Sequence, residues 1–236
     1  MRYTSLCWIS NNEDIQKARE KINKIWTEDM KKCQRCDFLT EFKALPVGNL
    51  NPKYLFIGEV PGITGKGTYG YKRTFVFTET SRLLRKTLYK SNLYHRTFFT
   101  NLSLCGLPGN KSVEAEKYFV CMKLRLEKEL EILNTIDTIF LGGNKVLEVF
   151  EKYFNIKINK RINNKINING KDYNIISVYH PAFFVYKRTE NSEEDYKSMI
   201  LNHLDNKEKI LIYDIEADST DPQKANLKFF VAYSCY

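Results

Sequence analysis

The sequence predicts a three-layer α/β/α domain with a mostly parallel central sheet. Short apolar runs alternate with segments of helical periodicity, the runs are continuous rather than interleaved with polar residues, and glycine, asparagine or histidine stands where each strand would end. Continuous apolar runs suit strands covered on both faces. Strands alternating with helices imply parallel pairing with helices on the sheet faces.

The first expected strand is Tyr54-Leu55-Phe56-Ile57, and Thr78 to Lys90 follows as a helix carrying Leu83, Leu84 and Leu88. Thr97-Phe98-Phe99 is the second strand. Phe119, Met122, Leu126, Leu130 and Leu133 then recur at spacings of three and four, which predicts a helix. Thr138-Ile139-Phe140-Leu141 is the third strand, Asn144 to Tyr153 a further helix, and Tyr173 to Val178 the last strand. The monotonous run of Ile, Asn, Lys and Arg from Ile156 to Asn169 reads as a basic loop or hairpin. Such sheets bind ligands outside the carboxyl ends of their strands. Gly58-Glu59-Val60-Pro61-Gly62, Asn101, Gly142-Gly143 and His180-Pro181 occupy those positions. Turn chemistry accounts for the glycines and prolines. A structural histidine would fit position 180 equally well, yet Asn101 and His180 bring to two separate strand ends side-chain chemistry that a turn does not need.

The chain has 236 residues, room for one substantial domain of about 150 to 200 residues and a remainder. The expected division is a helical segment at 1–30, the main domain at 31–201, a polar linker at 202–209 and a strand segment at 210–236. Hydrophobic residues make up 43% and charged residues 28%, which excludes disordered, collagenous and coiled-coil classes. A net charge of +9 points to a polyanionic partner, with nucleic acid first, because basic side chains that neutralise phosphates release counterions. A Lys- and Asn-rich surface arising from codon bias is the plainer reading of the same charge. No stretch reaches the roughly 18 to 20 apolar residues of a membrane helix. The short patch at Cys7, Trp8 and Ile9, before Glu13 and Asp14, does not make a secretory signal. An intracellular, cytoplasmic protein is expected, and its six cysteines are then metal ligands or free thiols rather than a disulfide framework.

Cys33 and Cys36 form a C-x2-C pair, and Cys105 and Cys121 follow with 15 residues between them. Four thiolates can hold zinc or an iron-sulfur cluster. A zinc ribbon supplies two close knuckles, which the wide second pair fits badly, so the spacing favours a cluster and leaves zinc, or ordinary buried thiols, as alternatives. Cys7 and Cys235 lie outside the pattern.

In this order and spacing the residues resemble the iron-sulfur uracil-DNA glycosylases, family 4 of the uracil-DNA glycosylase superfamily. The likeness runs from Cys33 to Tyr186. It comprises Cys33-x2-Cys36, Gly58-Glu59-Val60-Pro61-Gly62, Phe75-Val76 with Leu83-Leu84, Thr100-Asn101, Cys105 with Pro108-Gly109-Asn110, Cys121, Leu141-Gly142-Gly143 and Tyr179-His180-Pro181-Ala182. The resemblance implies a 4Fe-4S cluster on Cys33, Cys36, Cys105 and Cys121, serving structure and DNA docking. It also implies a pocket for a uracil flipped out of DNA. There Phe75 stacks on the ring, Asn101 reads O4 and N3, the backbone around Glu59 and Val60 adds hydrogen bonds, and His180 stabilises charge growing on O2. Phe183 and Phe184 are either a wedge that fills the vacated stack or core residues of the next helix, with Lys187 and Arg188 on phosphates. The sequence departs from the family at Ile63-Thr64-Gly65-Lys66, where acids usually follow the Pro-Gly, and at Thr74 and Phe77, which replace a proline and a glycine. Water positioning and exclusion of thymine are the properties those departures touch.

After the linker, Ile210 to Ile215 is an apolar run ending in Asp214-x-Glu216, which resembles the first metal-binding motif of the DEDD 3′-5′ exonucleases. The remaining acids of such a site would lie far beyond Tyr236, and a strand with an acidic turn is common. If the motif is real, the chain looks like the N-terminal part of a phage-type DNA polymerase, encoded by a phage in a bacterial host. Two functions are therefore expected from the sequence: a glycosylase that hydrolyses the N-glycosidic bond of deoxyuridine, or a catalytically weak or inactive uracil- and DNA-binding module of such a polymerase, partnered by its other parts.

Overall fold

The computed structural model describes residues 13–29, 33, 44–61, 75, 78–91, 93–106, 113–187, 192–202, 204, 215–217 and 227–229. Helix α1 (Glu13–Lys24) opens on Glu13 and Asp14 and closes on Lys21 and Lys24, charges that complement the helix dipole, and runs into a π-helical turn at Ile25–Asp29. Then come β1 (Val47–Gly48), β2 (Tyr54–Gly58), α2 (Glu79–Lys90), β3 (Thr97–Asn101), α3 (Phe119–Cys121) and α4 (Glu127–Ile132). The domain is completed by β4 (Thr138–Gly142), α5 (Asn144–Phe154), β5 (Asn163–Ile168), β6 (Lys171–Val178), α6 (Pro181–Lys187) and α7 (Ser192–Leu201).

The sheet has the order β1-β3-β2-β4-β6-β5. The four inner strands are parallel, and β1 and β5 pair antiparallel at the edges. Strands β2, β3 and β4 are buried along their whole length, as continuous apolar runs require. Alternate residues serve opposite faces. Leu55, Ile57, Phe98, Ile139 and Leu141 enter the core with Ile22, Trp26, Leu126, Val146 and Phe150. Between them, Tyr54 meets Phe140 and Phe56 meets Phe99 in aromatic contacts. The helices sort likewise: α1 contacts α4, while α2, α6 and α7 contact one another. This is the expected three-layer α/β/α arrangement.

Two segments are more specific than the sequence reading. The helix expected from Phe119 to Leu133 begins with a 3-10 turn at Ala115–Tyr118 and contains a π-helical turn at Met122–Leu126 between α3 and α4. The basic run is a hairpin: β5 and β6 are joined by Asn169 (φ +50) and Gly170 (φ +84), with Ile168 paired to Lys171. Two consecutive positive φ values make the two-residue turn that matches strand twist, and Asn-Gly is the pair best suited to it. Helix α2 starts on a reciprocal cap, in which the Thr78 hydroxyl accepts from the Ser81 N–H at 3.0 Å and the Ser81 hydroxyl accepts from the Thr78 N–H at 2.9 Å.

The chain divides into two compact units, Met1–His203 and Leu204–Tyr236. In the second, β7 (Ile215–Ala217) pairs antiparallel with β8 (Leu227–Phe229), and Glu216 stands opposite Lys228. Asp214 lies outside the described residues. Among the described residues no helix is long and apolar enough to cross a membrane.

Candidate active site at the strand ends

Parallel pairing brings the residues that follow β2, β3, β4 and β6 to one edge of the sheet. Gly58 is in register with Asn101. The ladder continues beyond them, with the Leu102 N–H donating to the Gly58 carbonyl at 2.8 Å and the Ser103 N–H to the Glu59 carbonyl at 3.1 Å. Asn101 is 2% exposed, and its Oδ1 has no hydrogen-bond partner among the described residues. A buried carbonyl oxygen without a partner forfeits about 1 to 3 kcal/mol, a cost a ligand donor would remove. Gly58 is where Asn101 and Phe75 converge: a Cβ built on Gly58 would fall 2.5 Å from Asn101 Oδ1 and 2.5 Å from Phe75 Cζ. Phe75 takes a left-handed φ of +50, and its ring is held edge-on to Phe56 (centroids 5.3 Å) and tilted against Phe99 (6.1 Å). The edge of an aromatic ring and an amide oxygen thus meet over a residue without a side chain.

His180 follows β6 and precedes α6. Gly143, at φ +113, caps α5 and lies beneath it, since a Cβ there would be 3.3 Å from His180 Cβ. The Gly143 N–H donates to the Val178 carbonyl at 2.9 Å, tying the two strand ends together. Burial pushes the His180 imidazole down to about 4, so it is neutral at pH 7. Its Nδ1 accepts the Ala182 N–H at 3.2 Å, which puts the single ring proton of the neutral form on Nε2. His180 is therefore a neutral N–H donor rather than a cationic acid.

The Glu59 carboxylate accepts a 2.6 Å hydrogen bond from Tyr118 Oη, on the 3-10 turn before α3. Burial, reinforced by that carboxylate, pushes the Tyr118 phenol far up, so it remains a donor. Val60 packs beside Cys105. Cys33, Cys105 and Cys121 are buried and form no disulfide among the described residues, and Cys36 lies outside the described residues. Buried free thiols are donors of the right chemistry for a cluster or zinc. Among the described residues, however, no group of three or more His, Cys, Asp or Glu is close enough to hold a metal ion.

Phe183 and Phe184 differ. Phe184 is buried against Tyr179 and Tyr196. Phe183 is 37% exposed and stacks on Tyr179 (centroids 4.6 Å, planes 9° apart), and the Arg161 guanidinium covers Tyr179 at 4.1 Å from its centroid. The Lys187 side chain and Arg188 lie outside the described residues, as do Gly62 to Lys66, Thr74 and Phe77.

Sequence reasoning missed Tyr118 and a buried polar cluster formed by Arg125, Glu129 and Trp26. Arg125 is fully buried and Glu129 is 1% exposed. Their signal was present: with Met122 they fall at helical spacings of three and four, which puts two charges on the stripe read as apolar.

The Asn101 amide oxygen and the Phe75 ring meet at Gly58, and the neutral His180 imidazole follows β6 at the same carboxyl edge of the parallel sheet. The family profile described as "Uracil DNA glycosylase superfamily" matches residues 45–205. The chain belongs to that superfamily. It is also similar to a "Type-4 uracil-DNA glycosylase" of Archaeoglobus fulgidus, 26% identical over 194 residues that cover 76% of this chain and 92% of the relative.

Proposed function

We propose that the protein removes uracil from DNA by hydrolysing the N-glycosidic bond of deoxyuridine. Water adds to the sugar carbon, the bond from that carbon to the base breaks, uracil leaves as the anion with the bonding electron pair, and the proton released by the water passes to solvent, from which the uracil anion is protonated. The observation that carries this reading is the unpaired, buried Asn101 Oδ1 beside Phe75 at Gly58. In the proposed complex, Asn101 Oδ1 accepts from uracil N3–H and its amide N–H donates to O4. Cytosine presents the reverse pattern and would leave both groups badly paired. Phe75 stacks on the extruded ring. His180 donates from Nε2 to uracil O2, where negative charge grows as the bond breaks, and no proton need transfer because the imidazole is already neutral. Tyr118 holds the Glu59 carboxylate, and the backbone at Glu59 and Val60 borders the base. Phe183, the exposed member of the aromatic pair, fits the wedge role better than buried Phe184.

Cys33, Cys36, Cys105 and Cys121 would hold a 4Fe-4S cluster, a reading supported by the type-4 relative and by three buried cysteines that form no disulfide among the described residues. Such a cluster would brace the segments carrying these cysteines and supply no redox step. Single-turnover assays on a uracil-containing single strand and a U:G duplex test the function, with iron content and visible absorption of anaerobically purified protein testing the cluster. Release of uracil by iron-loaded protein, with iron lost in Cys121→Ser, is the expected result. DNA binding without uracil release would favour the second reading, a uracil-binding module with little turnover, which Ile63 to Lys66 in place of the usual acids supports. The superfamily match ends at residue 205 and lends no support to the exonuclease-like reading of Asp214 and Glu216 or to a polymerase context.

Gly58→Ala should slow uracil release by about 10- to 100-fold, because the added methyl displaces both Asn101 Oδ1 and Phe75, and misplacement near 1 Å at a reacting site carries penalties of that order. Phe75 is packed against Phe56 and Phe99 and Asn101 is buried, so the stability cost should fall in the usual overpacking range of about 1 to 3 kcal/mol. Single-turnover rates and thermal melts of the variant measure the two effects separately.

A further inference from the structure

We propose that Arg125 is a positioning residue whose guanidinium, fixed by Glu129, holds the end of β3 in the geometry that presents Asn101 to the base. This rests on the uracil-reading role proposed above for Asn101.

Three consecutive residues at the end of β3 are gripped by one side chain. Arg125 Nη1 donates to Thr100 Oγ1 at 2.6 Å and to Glu129 Oε2 at 2.5 Å. Nη2 donates to the Asn101 carbonyl and, at 3.3 Å, to the Leu102 carbonyl. Glu129 is held in turn: Trp26 Nε1–H donates to its Oε1 at 3.1 Å and the Thr100 hydroxyl to its Oε2 at 3.2 Å. From the other side, the Leu102 and Ser103 N–H groups are tied to the Gly58 and Glu59 carbonyls. The backbone around Asn101 is thus pinned on both sides, while its side-chain Oδ1 is left without a partner among the described residues.

A stability argument alone does not account for this cluster. Burying two charges is costly, and well-packed apolar residues often serve a core as well or better. What the pair supplies is geometry, because a planar fork of donors can span several fixed acceptors where an ammonium or an apolar chain cannot. Arg125 also lies within the π-helical turn Met122–Leu126, a feature frequent at functional sites. The fork stays cationic, as arginine does in proteins.

Arg125→Met alone would strand the Glu129 charge, so the test uses the double variant Arg125→Met/Glu129→Met, with Arg125→Lys as a second variant that keeps the charge and loses the fork. Amide hydrogen exchange at Leu102 and Ser103 reads the position of β3. Binding of oligonucleotides carrying non-hydrolysable 2′-fluorinated deoxyuridine or deoxycytidine reads base preference. In variants that melt cooperatively, exchange at those two amides should accelerate by about tenfold, the worth of one hydrogen bond to a charged group, and the preference for uracil should fall by a similar factor. Exchange at Ile139 and Leu141 in β4 should stay unchanged. Wild-type exchange in the variants overturns the proposal. Faster exchange with an intact uracil preference also overturns it, since Arg125 would then only stabilise the strand. A wild-type protein with no uracil preference would remove the reading of Asn101 beneath the proposal, and the exchange data would still report separately whether the network holds β3.

Discussion

His180→Ala should lower single-turnover release of uracil by about 10²- to 10³-fold, the usual worth of one aimed donor at a developing oxyanion, or about 2.7 to 4 kcal/mol. Affinity for uracil-containing DNA should change little, because the donor acts on charge that appears as the bond breaks. The pH profile distinguishes the proposed role from its obvious rival. With the imidazole pushed down to about 4, the neutral Nε2–H donor is the form present throughout the neutral range, so the rate should be flat from pH 8 to about 6. A cationic acid would instead raise the rate as pH fell through the ordinary histidine value near 6.5, and such a rise would overturn this role. Stability follows the same shift. Between 6.5 and about 4 the unfolded chain binds a proton at this position that the folded chain does not, so folding stability should fall as pH is lowered through that window. His180→Ala should remove that component, and thermal melts at pH 7 and pH 5 would show it.

Asn101→Asp should lower uracil release at pH 7 by about 10²-fold or more, since an ionised carboxylate sets an acceptor against uracil O4 in a buried site, and mispaired hydrogen bonds to charged groups cost about 1.5 to 3 kcal/mol each. The same carboxylate can accept from the exocyclic amino group of cytosine, so discrimination between the bases should narrow. Parallel assays on U:G and C:G duplexes measure both effects. Unchanged discrimination would mean that Asn101 does not read the base edge. The unpaired Oδ1 would then need another ligand.

Much of the fold was legible because it is written in local chemistry. Tyr54 to Ile57, Thr97 to Phe99 and Thr138 to Leu141 are too continuously apolar for anything but strands covered on both faces, and parallel order then sends the following residues to one edge. That is how Asn101 and His180 could be named without coordinates. The Asn169-Gly170 pair could have settled the hairpin outright, yet its basic, repetitive flank left a loop open as an alternative. The π-helical turn at Met122–Leu126 could not be read, because one wider turn shifts the apolar spacing by less than one residue.

Composition and periodicity specified the layers, the strand order along the chain and the residue types standing at the strand ends, since these depend on burial and backbone preference within a few residues. They could not specify what those residues meet. The convergence of Asn101 and Phe75 on Gly58, the grip of Arg125 on the carbonyls after Thr100, the Tyr118 bond to Glu59 and the neutral state of His180 depend on tertiary surroundings, with hydrogen-bond partners up to 59 positions apart. Burial and directional hydrogen bonding set the chemistry of these side chains, and both arise only when the layers close.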